Sequence, residues 1–255
     1  MKRINLSKAI VPNSLTAFNI LCGFASMILS AEGDFLLAAI MIFIAGIFDV
    51  LDGLLARMLK TSSQFGVELD SLADVVSFGA APAFLIYYSY LIHYSWLGAA
   101  IASTLLVFGA LRLARFNTQI EDVSIKVDFT GLPIPISAII VASFVVAFYR
   151  DGDIQSQYHH FVIPLVLLCS ALMVSNVRYN KIPKPSDLSI GEKLTFLFVI
   201  VFAILMIVAS DGKALFYLFL SMVLFGIFRH LFYMFFQDRF PLGNKSKEDL
   251  SEDDE

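Results

Sequence analysis

Four aspartates lie in one stretch of a sequence that is otherwise strongly apolar. The stretch covers residues 49–74 and reads DVLDGLLARMLKTSSQFGVELDSLAD. A single carboxylate at the centre of a membrane-spanning helix costs about 2.5–3.5 kcal/mol on insertion scales. Clustered carboxylates also repel one another unless cations lie between them. The stretch therefore predicts a functional site, and its oxygen ligands suit Mg²⁺, Mn²⁺ or Ca²⁺ rather than zinc.

The polar and small residues of this stretch fall on one face of each of two predicted helices. On the first helix the residues that recur at three- and four-residue steps are Asp49, Asp52, Gly53, Ala56 and Arg57. On the second helix they are Gly66, Asp70, Asp74 and Ser77. A short join makes the two helices antiparallel neighbours, so four carboxylates can converge. Two divalent ions would neutralise them, and such a pair can clamp a diphosphate while an oxygen nucleophile attacks phosphorus.

Two alternatives to an enzyme site are a simple polar contact between helices and a metal-coupled transporter. One Asp–Arg pair would satisfy a polar contact, whereas this stretch holds four aspartates in phase with small residues. A transporter would place such a cluster near the membrane midplane, within broken helices related by an inverted repeat. The cluster is predicted at one membrane face and the sequence has no visible repeat. An enzyme is therefore favoured.

The elements that position these residues are predicted to be membrane-spanning helices. Of the 255 residues, 58% are hydrophobic and 16% are charged, which is typical of a polytopic membrane protein. A spanning helix needs about 20 apolar residues. Eight segments are candidates: 14–31, 35–59, 65–90, 94–116, 132–149, 159–177, 193–210 and 213–235. With the N-terminus inside, all but two of the 18 Lys and Arg lie on the cytoplasmic side, so both termini are predicted to be cytoplasmic.

The spacing of the aspartates resembles the signature of the CDP-alcohol phosphatidyltransferase family. The matching pattern is Asp49-x-x-Asp52-Gly53-x-x-Ala56-Arg57, eight residues, and Gly66-x-x-x-Asp70-x-x-x-Asp74. Three further stretches are similar to the phosphatidylserine synthase branch of that family. They are VPNSLTAFNILCGF at 11–24, DSLADVVSFGAAPA at 70–83, and RLARFN with FTGLPIP within 112–135.

The resemblance implies an all-α fold with a catalytic core of six membrane helices, here within residues 1–177. A cytoplasmic linker at 178–192, a two-helix transmembrane hairpin at 193–236 and an acidic, disordered tail at 237–255 would follow. The implied reaction transfers the phosphatidyl group of CDP-diacylglycerol to the hydroxyl of L-serine and releases CMP, with Mg²⁺ or Mn²⁺ as cofactor. A homodimer in the inner membrane is expected, with its active site facing the cytoplasm and no nucleic-acid partner.

The resemblance also assigns roles to individual residues. Asp49, Asp52 and Asp70 would hold one metal ion, and Asp70 with Asp74 would help to hold the other. Asp74 would be the base that takes the proton from the attacking hydroxyl, although a metal ligand and a base compete for one carboxylate. The CDP-lipid pocket would be lined by Asp52, Gly53, Ala56, Arg57 and Gly66.

Serine recognition requires a cation for the carboxylate of the amino acid. Arg112 and Arg115 end the fourth predicted span, and Lys126 lies in the loop that follows. An arginine matches a carboxylate bidentately, although these residues would also serve as anchors to lipid phosphates. Ser77 is a candidate either for serine binding or for a helix contact. A phosphorylated acceptor, such as glycerol 3-phosphate or an inositol phosphate, would require more cations around 117–131 than Lys126 alone.

Overall fold

Eight α-helices make up most of the part of the chain that the structure describes. The computed structural model describes residues 6–59, 63–120, 131–150, 152–175, 177, 210 and 212–236. The helices in these ranges are α1 (Leu6–Glu32), α2 (Phe35–Leu59), α3 (Gln64–Asp74), α4 (Ala81–Ser89), α5 (Ser95–Ile120), α6 (Ile134–Phe148), α7 (His159–Val174) and α8 (Lys213–Phe236).

Short irregular elements join several of these helices. A π-helix, Val75–Ala80, continues α3 directly into α4. The 3₁₀ turns Leu91–Tyr94 and Ser156–Tyr158 precede α5 and α7. Strands β1 (Tyr149–Arg150) and β2 (Asp153–Ile154) pair antiparallel in a small hairpin after α6. The sequence patterns predicted neither the π-helix nor the hairpin.

The prediction of an all-α, multi-pass membrane fold is confirmed. Six helical runs in the described ranges are long and apolar enough to cross a membrane, and the run formed by α3, the π-helix and α4 is one of them. Their outer surfaces carry large exposed apolar side chains, such as Phe18, Ile47 and Leu111, which suit contact with lipid tails. The predicted span at 193–210, the linker and the tail lie outside the described residues, so the count of eight spans and the side of the termini stay predictions.

Helix α6 is the exception among the described spans, because it has only 15 residues. Eleven of these residues are buried, and they include Phe144 and Phe148. A helix that is apolar and buried on nearly all sides is a core helix that neighbouring helices shield. Phe216 of α8 packs with its ring 5.4 Å from that of Phe144 and 5.3 Å from that of Phe148. The last described helix is therefore docked on the central one.

Helix α1 carries a line of small and polar residues that recur at alternating steps of three and four. We call this line the polar seam of α1, and it consists of Thr16, Asn19, Gly23, Ser26 and Ser30. All five are buried. A side chain at Gly23 would meet Ser77 of the π-helix, whose Cα lies 2.7 Å from the ideal Cβ position. The seam thus lets α1 pack closely against the helices that carry the aspartates.

Candidate active site

Three of the four aspartates form a compact carboxylate cluster. Asp49 of α2 faces Asp70 and Asp74 of α3, and one carboxylate oxygen from each lies within 4.8 Å of the others. All three side chains are partly buried, and Asp74 Oδ1 is fully buried without a hydrogen-bond partner among the described residues. Carboxylates this close repel one another, and three oxygen donors suit a hard divalent cation. The residues therefore fit a divalent metal ion.

Asp52 lies beside this cluster but has a protein partner of its own. Its Oδ2 accepts a hydrogen bond of 2.7 Å from Thr16 Oγ1 of α1, and both residues are 4% exposed. Thr16 also donates toward the carbonyl of Pro12, 3.2 Å away. Sequence reasoning missed Thr16. The signal was present in the polar residues Asn13, Thr16 and Asn19, which recur every three residues in an apolar segment.

The two glycines of the signature have different surroundings. A Cβ built on Gly53 meets no other described group within 4 Å, so this face of α2 has open space among the described residues. A Cβ on Gly66 would lie 3.3 Å from Ser63 Oγ and 3.5 Å from Asn13 Oδ1. Ser63 is the N-cap of α3, and its hydroxyl accepts a 3.0 Å hydrogen bond from Gly66 N–H. Gly66 therefore makes room for a helix cap and for α1.

The other two residues predicted to line the CDP-lipid pocket lie on the same end of α2. Ala56 is partly buried and Arg57 is exposed. Ala56 lies three residues and Arg57 four residues beyond Gly53, so both are on the same side of the helix as Gly53. The structure thus places a small-residue surface with a nearby cation next to the carboxylate cluster.

The two arginines of α5 have separate roles in the structure. Arg112 is partly buried, interacts electrostatically with Asp74, and has a buried Nε without a hydrogen-bond partner among the described residues. Arg115 donates from Nη1 to the carbonyl oxygen of Val174 over 3.2 Å, at the end of α7. Arg112 is therefore an arginine that interacts with the cluster, and Arg115, one turn further along α5, donates to the last residue of α7. Lys126 lies outside the described residues.

A second contact ties α5 to the aspartate helix. Asn117 Nδ2 donates to Ser71 Oγ over 3.0 Å, and Ser71 follows Asp70 directly in the chain. Sequence reasoning missed both residues. The contact fixes the end of α5, which carries the arginines, relative to the carboxylate cluster.

Ser77 is placed by the π-helix rather than by the regular helical period. Its side chain is fully buried, and its hydroxyl donates to the carbonyl oxygen of Asn19 over 2.8 Å. A π-helix has more residues in each turn than an α-helix, so the expectation that Ser77 shares a face with Asp74 does not carry through it. The hydrogen bond favours the helix-contact alternative over serine binding for this residue.

Comparisons with known proteins identify the family of the chain. The sequence model of the CDP-alcohol phosphatidyltransferase family matches residues 9–169. The chain is 34% identical over 223 residues to the CDP-diacylglycerol–serine O-phosphatidyltransferase of Helicobacter pylori, covering 88% of this chain and 92% of that protein. It is 32% identical over 225 residues to the protein of the same name from Methanocaldococcus jannaschii, covering 87% and 94%. An archaetidylserine synthase of Methanothermobacter thermautotrophicus is 36% identical over 176 residues, which is 68% of this chain and 70% of that protein.

The fold and the site together define a multi-pass membrane protein with a carboxylate cluster suited to a divalent cation. The chain belongs to the CDP-alcohol phosphatidyltransferase family, since the family match covers more than half of its length and places all four aspartates inside the matched region. It is therefore an enzyme of the transferase class.

Proposed function

We propose that this protein transfers the phosphatidyl group of CDP-diacylglycerol to the hydroxyl of L-serine, giving phosphatidylserine and CMP. The observation that carries the proposal is the carboxylate cluster of Asp49, Asp70 and Asp74 with Arg112 beside it. An acceptor that carries a carboxylate needs such a cation, and the relatives from three organisms all have serine in their names.

We propose that two divalent ions, Mg²⁺ or Mn²⁺, are the cofactors. Ca²⁺ would also fit the same site. Asp49, Asp52 and Asp70 would hold one ion, and Asp70 and Asp74 would help to hold the other. Bound divalent cations supply positive charge next to the diphosphate, where negative charge develops as CMP leaves. The Thr16 hydrogen bond supports this assignment because it fixes the orientation of Asp52.

The serine hydroxyl is a weak nucleophile at neutral pH and needs a base. Its oxygen forms a bond to the β-phosphorus of CDP-diacylglycerol, and the bond from that phosphorus to the bridging oxygen breaks, so the electron pair leaves with CMP. Asp74 would take the hydroxyl proton on Oδ1, which has no partner among the described residues. Asp70 would hold the reacting groups in place beside Asp74.

Arg112 would bind the carboxylate of serine, since its guanidinium interacts electrostatically with Asp74 and its Nε has no hydrogen-bond partner among the described residues. Arg115 would assist while it holds the end of α7. Lys126 stays a prediction for the same carboxylate. Ser77 is left out of the serine site because its hydroxyl already donates to α1.

The nucleotide and diphosphate of the lipid substrate would lie along the end of α2. Gly53 supports this placement because, in the described part of the chain, no neighbouring group lies within 4 Å of the position that a side chain would fill. The rest of the proposed CDP-lipid pocket consists of Asp52, Ala56, Arg57 and Gly66. The acyl chains would remain in the bilayer, beside the exposed apolar surface of the helices.

We further propose that residues 1–177 are the catalytic domain and that the protein acts as a homodimer in the inner membrane. The distribution of Lys and Arg supports a site that faces the cytoplasm, from which serine would enter.

The experiment that tests the proposed function is CMP release by the purified protein. The reaction would contain CDP-diacylglycerol and Mn²⁺ or Mg²⁺, with L-serine, glycerol 3-phosphate, an inositol phosphate or no acceptor. CMP that depends on both metal and serine is the expected result. CMP release with another acceptor in place of serine would contradict the assignment of serine, and metal-sensitive ion flux without CMP release would favour a transporter.

A further inference from the structure

Asn19 is the exception among the polar side chains of the α1 seam, because it has no hydrogen-bond partner in the part of the chain that the structure describes. The hydroxyl of Thr16 donates to Asp52, that of Ser26 to the carbonyl of Ala38 over 2.8 Å, and that of Ser30 to the carbonyl of Ser26 over 2.7 Å. Asn19 is 0% exposed, yet neither Oδ1 nor Nδ2 has a hydrogen-bond partner among the described residues.

A buried amide without hydrogen bonds is unfavourable, and folded proteins contain few of them. If this position only filled space, a leucine of similar size would be better suited to it. The close contact of Gly23 with Ser77 one turn further along fixes α1 against the π-helix. The Asn19 amide is thus held in place at a buried position, where its missing partner must be something other than the described protein groups.

The position of Asn19 identifies the partner's chemistry. Thr16, one turn earlier on α1, is bonded to Asp52 of α2. Because α2 runs antiparallel to α1, the residue one turn deeper on α2 is Asp49, at the level of Asn19. On the π-helix that continues α3, Ser77 donates to the Asn19 carbonyl and lies three residues beyond Asp74. Asn19 therefore lies at the deep side of the carboxylate cluster.

Asp74 provides an independent observation on the facing helix. Its Oδ1 is also buried and has no hydrogen-bond partner among the described residues, so α1 carries an unused amide donor and α3 an unused carboxylate acceptor. A bound cation with its oxygen ligands would give both groups their missing partners. Such outer hydrogen bonds orient metal ligands and commonly set affinity.

We propose that Asn19 is a positioning residue of the cation site. Its Nδ2 donates to an oxygen ligand on the deep side of the cluster, either the Asp49 or Asp74 carboxylate or a water molecule bound beside them. This inference rests on the proposed cation site and adds to it a residue of α1 outside the aspartate signature. Asn19 touches neither substrate, so its effect is on cation affinity.

The test is Mn²⁺ binding to the full-length protein in detergent micelles, measured by the electron paramagnetic resonance of free Mn²⁺. Thermal unfolding is measured in parallel without metal. Asn19→Leu should raise the Mn²⁺ dissociation constant about tenfold, while the unfolding temperature without metal stays equal or rises. The rise is expected because the variant removes an unpaired buried amide.

Ser26→Ala is the matched control, since it removes a seam hydroxyl that bonds to the Ala38 carbonyl away from the cluster. It should lower the unfolding temperature and leave the Mn²⁺ dissociation constant unchanged. Asn19→Ala, with a smaller side chain, replaces Asn19→Leu if leucine prevents folding, and the same weakening of Mn²⁺ binding is expected.

The outcomes separate this inference from the proposed function. If the wild-type protein binds Mn²⁺ and the Asn19 variants bind it equally well, the positioning role is wrong and the cation site stands. A loss of thermal stability in the Asn19 variants without any change in Mn²⁺ affinity would likewise assign Asn19 to packing. If the wild-type protein does not bind Mn²⁺, the cation site is wrong and the inference fails with it.

Discussion

The hydroxyl of Thr16 donates a 2.7 Å hydrogen bond to the carboxylate of Asp52, and this bond connects α1 to the aspartate signature. Both side chains are buried. Besides this bond, the Asp52 carboxylate has a hydrogen bond with the backbone of Gly53, the next residue on α2, so the bond from Thr16 is its link to another helix. The geometry of the site therefore depends on a helix that contributes no residue to the signature.

Thr16→Val tests this connection, because valine keeps the shape of threonine and removes the hydroxyl. A hydrogen bond to a charged group contributes about 1.5–3 kcal/mol. We expect kcat/KM for CDP-diacylglycerol to fall by about tenfold or more, since about 1.4 kcal/mol corresponds to a factor of ten. The value of kcat/KM would be measured from steady-state CMP release.

Thr104→Val is the control for this substitution. Thr104 Oγ1 lies 2.9 Å from Ser170 Oγ, in a contact between α5 and α7 that is separate from the carboxylate cluster. The control should lose thermal stability and keep its kcat/KM. Equal losses of activity in both variants would show that Thr16 matters only for packing.

Gly53→Ala tests the open space on α2. The added methyl group meets no neighbouring group of the described residues within 4 Å, and alanine in a helix interior is favoured over glycine by about 1 kcal/mol. The unfolding temperature should therefore stay equal or rise, while the KM for CDP-diacylglycerol rises because the methyl group occupies the proposed substrate space.

Gly46→Ala, on the same helix, is the matched control. Its Cβ would make an ordinary contact with Phe78, 3.9 Å away. This variant should keep its KM for CDP-diacylglycerol. A Gly53→Ala enzyme with unchanged KM would place the lipid headgroup elsewhere.

Arg112→Gln and Arg115→Gln distinguish the roles of the two arginines. Arg112→Gln should raise the serine KM by about tenfold, the effect of losing a hydrogen bond to a charged group, with a much smaller change in the KM for CDP-diacylglycerol. Arg115→Gln should mainly lower the unfolding temperature, because it loses the bond to the Val174 carbonyl, and should raise the serine KM less. Equal changes in both substrates' KM for Arg112→Gln would argue against carboxylate binding.

Gly131→Ala tests how the chain returns to the membrane before α6. Gly131 has φ of +83°, and a Cβ there would overlap the Met173 carbonyl. Gly152→Ala is the control, since Gly152 has φ of +92° with nothing within 4 Å of its Cβ position. In both variants the left-handed conformation of alanine costs about 1–2 kcal/mol of stability. Any further loss of thermal stability in Gly131→Ala therefore measures the overlap with the Met173 carbonyl. Equal unfolding temperatures would show that the backbone at Gly131 shifts enough to remove the overlap with the Met173 carbonyl.

The carboxylate cluster was predictable from the sequence because regular helices repeat every 3.6 residues. That period places Asp70 and Asp74 on one face, and the short join brings Asp49 opposite them. The multi-pass fold was equally predictable from apolar segments of spanning length. These features follow from local periodicity and composition alone.

Other features depend on contacts between helices and could not be obtained from period alone. The π-helix changes the phase after Asp74, so Ser77 bonds to α1 instead of sharing the face of the cluster. The partner of Asp52 lies 36 residues earlier in the chain. The sequence does not distinguish the roles of Arg112 and Arg115. In the described part of the chain, Arg115 donates a hydrogen bond to the end of α7, and no such bond is seen for Arg112. Tertiary packing decides each of these relationships.

The incorporation of labelled L-serine into lipid is the decisive test of a metal-dependent serine phosphatidyltransferase. Proteoliposomes that contain CDP-diacylglycerol and Mn²⁺ would hold wild-type protein, Asp70→Asn or the control Asp153→Asn, whose aspartate lies in the β-hairpin away from the cluster. We expect labelled phosphatidylserine with the wild-type and control proteins and less than about a tenth of it with folded Asp70→Asn, since that variant loses a charged ligand shared by both proposed ions. No labelled lipid from the wild-type protein, or equal labelling by Asp70→Asn, would contradict it.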